Sequence, residues 1–228
     1  MTSKQKIFFA DGALLLCALI WGVSFALMKT TVEVVPPNYL LALRFGAGAA
    51  GLLPFVWKKL LKADARTLLS GVLLGIVTYL AFVAQTVGLT LTTAGKNAFI
   101  TTVYVMLAPF FAWAFLGKRP SPGTFVAAGV CFLGIAVLSL DGIGGFNIGD
   151  ALTLLCGVLF ALQLSLVERF TLKGQDVTLL TMLQFAVAGA AAFAAGAFTE
   201  QFSFQMAPET IGSLAFLCLF ATLIAYLL

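Results

Sequence analysis

Apolar residues run through this chain in long blocks, and the polar ones gather in short clusters between them. Windowing the pattern yields eight segments, 13–32, 38–57, 68–90, 97–116, 123–140, 151–168, 177–198 and 211–228, each apolar around its whole circumference. A helix needs about 20 such residues to cross a hydrocarbon core of roughly 30 Å. Hydrophobicity within the segments does not alternate with a period of two, which excludes a strand barrel. The pattern predicts an all-α polytopic membrane protein with eight transmembrane helices.

Composition narrows the class further. Hydrophobic residues make up 61% of the 228 positions and charged ones 10%, where a soluble domain carries about 25% charged. Ten of the 13 basic residues fall on one side of the eight-span plan: Lys4, Lys6, Lys58, Lys59, Lys62, Arg66, Lys118, Arg119, Arg169 and Lys173. The opposite side holds Glu33, Asp141, Asp150, Glu200 and Glu209. By the positive-inside rule the basic side and the N-terminus are expected in the cytoplasm. The net charge of +4 is then a topology signal, and no nucleic-acid partner is expected, because no basic cluster is interleaved with aromatics. Cys17, Cys131, Cys156 and Cys218 all lie within spans without metal spacing, so no metal and no disulfide is expected. There is no histidine, no HExxH and no GxSxG, so the reading is not an enzyme and no cofactor is implied. The first apolar block lacks a small-x-small cleavage site and reads as a retained span.

The chain also resembles itself. "LLLCALIWGVSFAL" (14–27) aligns with "TLLCGVLFALQLSL" (153–166), Cys156 following Cys17 by 139 residues. "LALRFGAGAAG" (41–51) aligns with "TMLQFAVAGAA" (181–191), which puts Arg44-Phe45 opposite Gln184-Phe185. A unit of that length holds five spans, and an odd number turns the second copy upside down. Inverted repeats are a common transporter plan, with the substrate at the repeat interface near the midplane. The expected domains are 8–142, a five-helix repeat, and 149–228, an incomplete inverted copy of three helices. The chain stops at "LCLFATLIAYLL" and is read as truncated after the eighth helix.

Four stretches carry a family resemblance: "ALIWGVSFALMK" (18–29), "LALRFGAGAAGLLP" (41–54), "GLTLTTAGKNAFITTVYVMLAPFFAWAFLGKRPS" (88–121) and "AAGVCFLGIAVLSLDG" (127–142). On these the sequence resembles the drug/metabolite transporter superfamily, specifically its EamA-type ten-helix permeases. The resemblance implies a multi-pass inner (plasma) membrane exporter or exchanger of a small organic metabolite such as an amino acid. It also implies alternating access through a central cavity between two inverted five-helix repeats. The partners are then a small molecule and the lipid bilayer, and a homo-oligomer is compatible with the plan. The alternative is a non-transporting truncated membrane protein or scaffold, because two helices of the family plan are missing.

The cavity candidates follow from polar residues placed in oily spans. Asn97, Thr101 and Tyr104 form one stripe that then meets Pro109, where a bend is expected. Tyr79, Phe82 and Thr86 share a face on the third span, with Gln85 adjoining. Trp21, Ser24, Phe25 and Met28 form a stripe on the first span, matched by Phe160 and Gln163 on the sixth. Packing and interhelical hydrogen bonding compete with substrate contact at each of these positions. Lys29 and Lys96 are expected to snorkel at the interface. Arg44 sits six residues inside its span, roughly 9 Å deep at 1.5 Å per residue. It is expected to anchor the outer end of that span by bonding neighbouring carbonyls, a structural or gating role. No carboxylate lies deep in a span, which favours facilitated diffusion or exchange over proton coupling.

Overall fold

The computed structural model describes residues 3–141, 145–203 and 205–227. The side chains of Lys4, Lys6 and Asp141, the domain boundary at Gly142 and the span end at Leu228 lie outside what is described. The helices are α1 (Ser3–Thr31), α2 (Pro37–Leu60), α3 (Ala65–Leu91), α4 (Ala94–Thr101), α5 (Val103–Leu116), α6 (Pro122–Asp141), α7 (Ile148–Leu172), α8 (Val177–Thr199) and α9 (Pro208–Cys218). A π-helical segment, Leu219–Ile224, continues α9 into α10 (Ala225–Leu227). Among the described residues there is no strand.

Among the described residues seven helical stretches are long and apolar enough to cross a membrane, α4 and α5 together forming one of them. The expected span 123–140, the fifth in order, corresponds to α6, whose described apolar part, Pro122–Gly134, is shorter than the rest. The expected boundaries therefore hold in outline, and among the described residues the count of fully qualifying spans is seven.

The helix ends follow from local chemistry. Asp64 accepts from Thr67 N to open α3, Thr93 from Lys96 N to open α4, and Asp176 from Leu179 N to open α8. Asn147 and Asp150 form a reciprocal capping box at the start of α7. Each cap satisfies donors that the first turn leaves open. Pro37 and Pro208 occupy first-turn positions, where the missing N–H costs nothing.

Packing then depends on small residues. α2 lies along α8, α3 packs on both α7 and α8, α5 packs on α7, and α9 rests against α1 and α2. A Cβ at Gly48 would stand 2.9 Å from both Phe185 and Thr222, and one at Gly75 would collide with Val187. The glycine-rich face of the second span thus admits α8 and the π-helical segment. Inside, Phe45 meets Phe82 and Phe82 meets Phe160, each pair edge to face at 4.9 Å. Outside, large apolar side chains such as Phe55, Leu69 and Val130 are exposed, a surface suited to lipid.

Candidate functional site

A cavity of about 510 Å³ opens among α1, α2, α3, the α4–α5 span, α7, α8 and α10. Its walls are aromatic: Trp21, Phe82, Tyr104, Phe160 and Tyr226. The polar groups on it are few: Ser24, Arg44, Gln85, Thr101, Gln163 and Gln184 among them. A second, shallower recess of about 290 Å³ between α2 and α8 is lined almost wholly by apolar groups, including Phe193 and Phe202. It lacks the convergent polar groups that orient a ligand.

Of the sequence candidates, Trp21, Ser24, Gln85, Thr101, Tyr104, Gln163 and Arg44 line the large cavity. Three others are placed elsewhere. Tyr79 donates to Asn38 Oδ1 at 3.0 Å. Asn97 is fully buried one layer behind the wall, donating to Gln85 O at 3.1 Å and to Thr153 Oγ1 at 2.7 Å. It ties α4 to α3 and α7. Pro109 sits inside an uninterrupted α5, and the break in the fourth span falls earlier, at Thr102 between α4 and α5. There Thr101 Oγ1 returns to Asn97 O at 2.7 Å and accepts from Gln85 Nε2 at 3.2 Å. Hydroxyls bonding back to the preceding turn loosen a helix at this point ahead of the proline.

Gln184 and Tyr226 also line the cavity and were not singled out from the sequence. Gln184 Oε1 accepts from Gln163 Nε2 at 3.0 Å and from Thr78 Oγ1 at 3.5 Å, joining α7, α8 and α3. Its signal was present, since it is a mid-span amide aligned with Arg44 in the repeat. Tyr226 had none, because its position depends on how the final helix turns.

Arg44 departs most from expectation. Instead of snorkelling to carbonyls, it turns inward and is 3% exposed. Nε donates to Thr222 Oγ1 at 3.2 Å, Nη1 meets Met28 Sδ at 3.0 Å, and the guanidinium lies 5.3 Å from the Phe82 ring centroid. Thr222 belongs to the π-helical segment and donates to Leu217 O at 2.8 Å. The same segment leaves Ala221 O free to accept from Trp21 Nε1 at 3.1 Å. One widened turn therefore holds two cavity residues from two other helices.

The two ends of the bundle differ. At the basic end Lys59 pairs with Asp176 and Lys118 with Glu168, each at 2.6 Å on the surface. The Lys59 ammonium hydrogen-bonded to Asp176 holds that carboxyl below its ordinary value. The cavity reaches this end, since Val177, the first residue of α8, lines it.

At the other end three polar locks tie helix ends to one another. Lys29 Nζ donates to Leu89 O at 2.7 Å and Thr92 O at 2.9 Å, capping the C-terminus of α3. Glu200 accepts from Asn38 N and Nδ2 at the N-terminus of α2. Lys96 pairs with the fully buried Asp150 at 2.8 Å. Lys29 and Lys96 thus do not snorkel: each is drawn into the protein by unpaired carbonyls or a carboxylate.

A family model for EamA-like transporters matches residues 8–140. An uncharacterized transporter of Archaeoglobus fulgidus is 34% identical over 188 residues, 80% of this chain. That match covers 56% of the relative, so the chain spans little more than half its length. The uncharacterized transporter YvbV of Bacillus subtilis is 30% identical over 224 residues, covering 94% of this chain and 72% of the relative. A protein of known crystal structure superposes with a TM-score of 0.69 at 19% identity, covering 95% of this chain and 77% of its own, which speaks to the fold alone. With seven membrane-length helices around an aromatic cavity and these matches, the chain is a multi-pass membrane protein that belongs to the EamA-like transporter family.

Proposed function

We propose that this chain forms the substrate pathway of an inner-membrane permease that moves a small organic metabolite by alternating access, outward or in exchange. The observation that carries the reading is the cavity, about 510 Å³, aromatic and reaching the basic end, while Lys29, Glu200 and the Lys96–Asp150 pair tie helix ends together at the other. Ligand sites of roughly 300–1,000 Å³ with few, convergent polar groups are typical of small-molecule binding. With the N-terminus and basic end in the cytoplasm, this is a state open inward and locked outward. Alternating access would break the outer locks and close the inner mouth.

The two domains, 8–142 and 149–228, are proposed as inverted copies. The packing supports this by its reciprocity: α2 lies against its counterpart α8, and α1 on α9 mirrors α7 on α3. The broken α4–α5 span at the cavity fits the use of discontinuous helices at transport sites.

Flux tests the proposal. The purified chain in liposomes, with a panel of radiolabelled amino acids and organic acids inside, is expected to release one class faster than protein-free vesicles. Trp21→Ala and Tyr104→Ala, which strip the cavity wall, are expected to slow that release while the protein still folds. Release no faster than from empty vesicles across the panel would leave the scaffold reading in its place.

A further inference from the structure

We propose that the cavity selects small organic monoanions, a carboxylate on an aromatic or apolar body, and that Arg44 is the group that reads the carboxylate. The inference rests on the cavity being the substrate site and specifies its chemistry. A guanidinium carries five N–H groups. Arg44 commits one to Thr222 Oγ1 and one to Met28 Sδ, a weak thioether acceptor. Three remain without an acceptor among the described residues. The ion pairs among those residues, Lys59–Asp176, Lys96–Asp150 and Lys118–Glu168, all lie at helix ends, and Arg44 is in none. Among the described residues no Asp or Glu lines the cavity. The site therefore holds a full positive charge, 3% exposed, with no negative charge facing it.

Pinning the π-helical segment does not account for that charge. Thr222 already bonds to Leu217 O, and its single contact with Arg44 asks for one donor, which a neutral amide supplies equally well. A cation inside a membrane protein is costly and usually marks a pathway or a ligand. The widened turn adds an independent sign, because π-helical turns recur at functional sites. Here it fixes Arg44 and Trp21 together, so the charge and the first aromatic wall are set before a ligand arrives.

The same arithmetic distinguishes ligands. A carboxylate matches the guanidinium fork and can take two parallel charge-assisted bonds. A zwitterion brings an ammonium into the same positive field, where it meets only amides, hydroxyls and ring faces. A neutral amide of the same shape keeps the body and loses the charge. An organic cation is repelled.

The experiment compares four probes that share a benzyl body on the purified chain in detergent at neutral pH: phenylacetate, its isostere phenylacetamide, L-phenylalanine and phenethylamine. Binding is read by thermal shift and by quenching of tryptophan fluorescence. Phenylacetate is expected to bind about tenfold or more tighter than phenylacetamide, a difference of about 1.4 kcal/mol. Arg44→Gln is expected to erase that difference, and Arg44→Lys, a point charge without the fork, to keep part of it. Equal binding of acid and amide overturns the inference and leaves the cavity reading intact. So does preference for phenylalanine or phenethylamine, or an unchanged preference in Arg44→Gln. No response to any of the four tells against both readings. The wild-type comparison needs no variant, so a misfolded Arg44→Gln does not remove the test.

Discussion

Replacing Asp150 by alanine puts the sharpest strain on the end of the bundle opposite the basic one. The carboxylate is fully buried, with Oδ2 taking the Lys96 ammonium at 2.8 Å and Asn147 N at 3.1 Å, and Oδ1 taking Thr92 Oγ1 at 2.6 Å. In Asp150→Ala, Lys96 is left 7% exposed with only Gly145 O, at 2.7 Å, to satisfy it. Removing one side of a buried ion pair costs about 3–5 kcal/mol, because the other charge stays in place without compensation. For a chain of this size each kcal/mol moves the melting temperature by about 2–4 °C, so a fall of about 6–20 °C is expected. Lys96→Met should cost less, since Asp150 keeps two donors. The double variant Lys96→Met with Asp150→Ala should recover much of the loss, because neither charge is then stranded. Thermal unfolding in detergent across this cycle should give an interaction energy above about 1 kcal/mol. A melting temperature for Asp150→Ala within about 2 °C of wild type, or strictly additive single effects, would refute the argument from burial.

Other outcomes test other links. Gly157→Ala places a Cβ into Val103 at the α5–α7 crossing, whereas Gly129→Ala meets nothing within 4 Å. The first should destabilise by about 1–3 kcal/mol and the second should be close to neutral, as read from melting temperatures. Asp176 has a folded-state carboxyl held below its ordinary value by Lys59. Its stabilisation is present above the unfolded value of about 3.9 and is lost as pH falls through the folded one. Asp176→Asn should therefore flatten part of the acid-side loss of stability, and added salt should shrink the effect for so exposed a pair. In a cysteine-free background, Lys62→Cys and Glu33→Cys, both at exposed positions, should label from opposite sides of the membrane. Labelling from the same side would break the proposed topology.

Residue by residue, the sequence could be read wherever the controlling physics is local. Asp64, Thr93, Asn147 and Asp176 open their helices because a short acceptor stands just before an apolar run. The polar residues that line the cavity were legible as a set, because an amide or hydroxyl in an oily span must turn away from lipid. What it turns toward was not legible. Asn97 and Tyr79 spend their donors on partners inside the protein, while the amides Gln163 and Gln184 reach the cavity. Lys29 and Lys96 looked like interfacial cations, since the carbonyls and carboxylate that draw them in lie 49 to 63 residues further along the chain.

By itself the sequence determined the membrane-crossing character of this protein. The length and oiliness of a run are properties of adjacent residues, and a hydrocarbon slab tests them without reference to any fold. The direction in which Arg44 points belonged to the tertiary structure. Its hydroxyl partner is 178 residues away, on a turn whose widening depends on packing. No periodicity along a single helix records which neighbour will arrive, or which of its carbonyls will be free when it does.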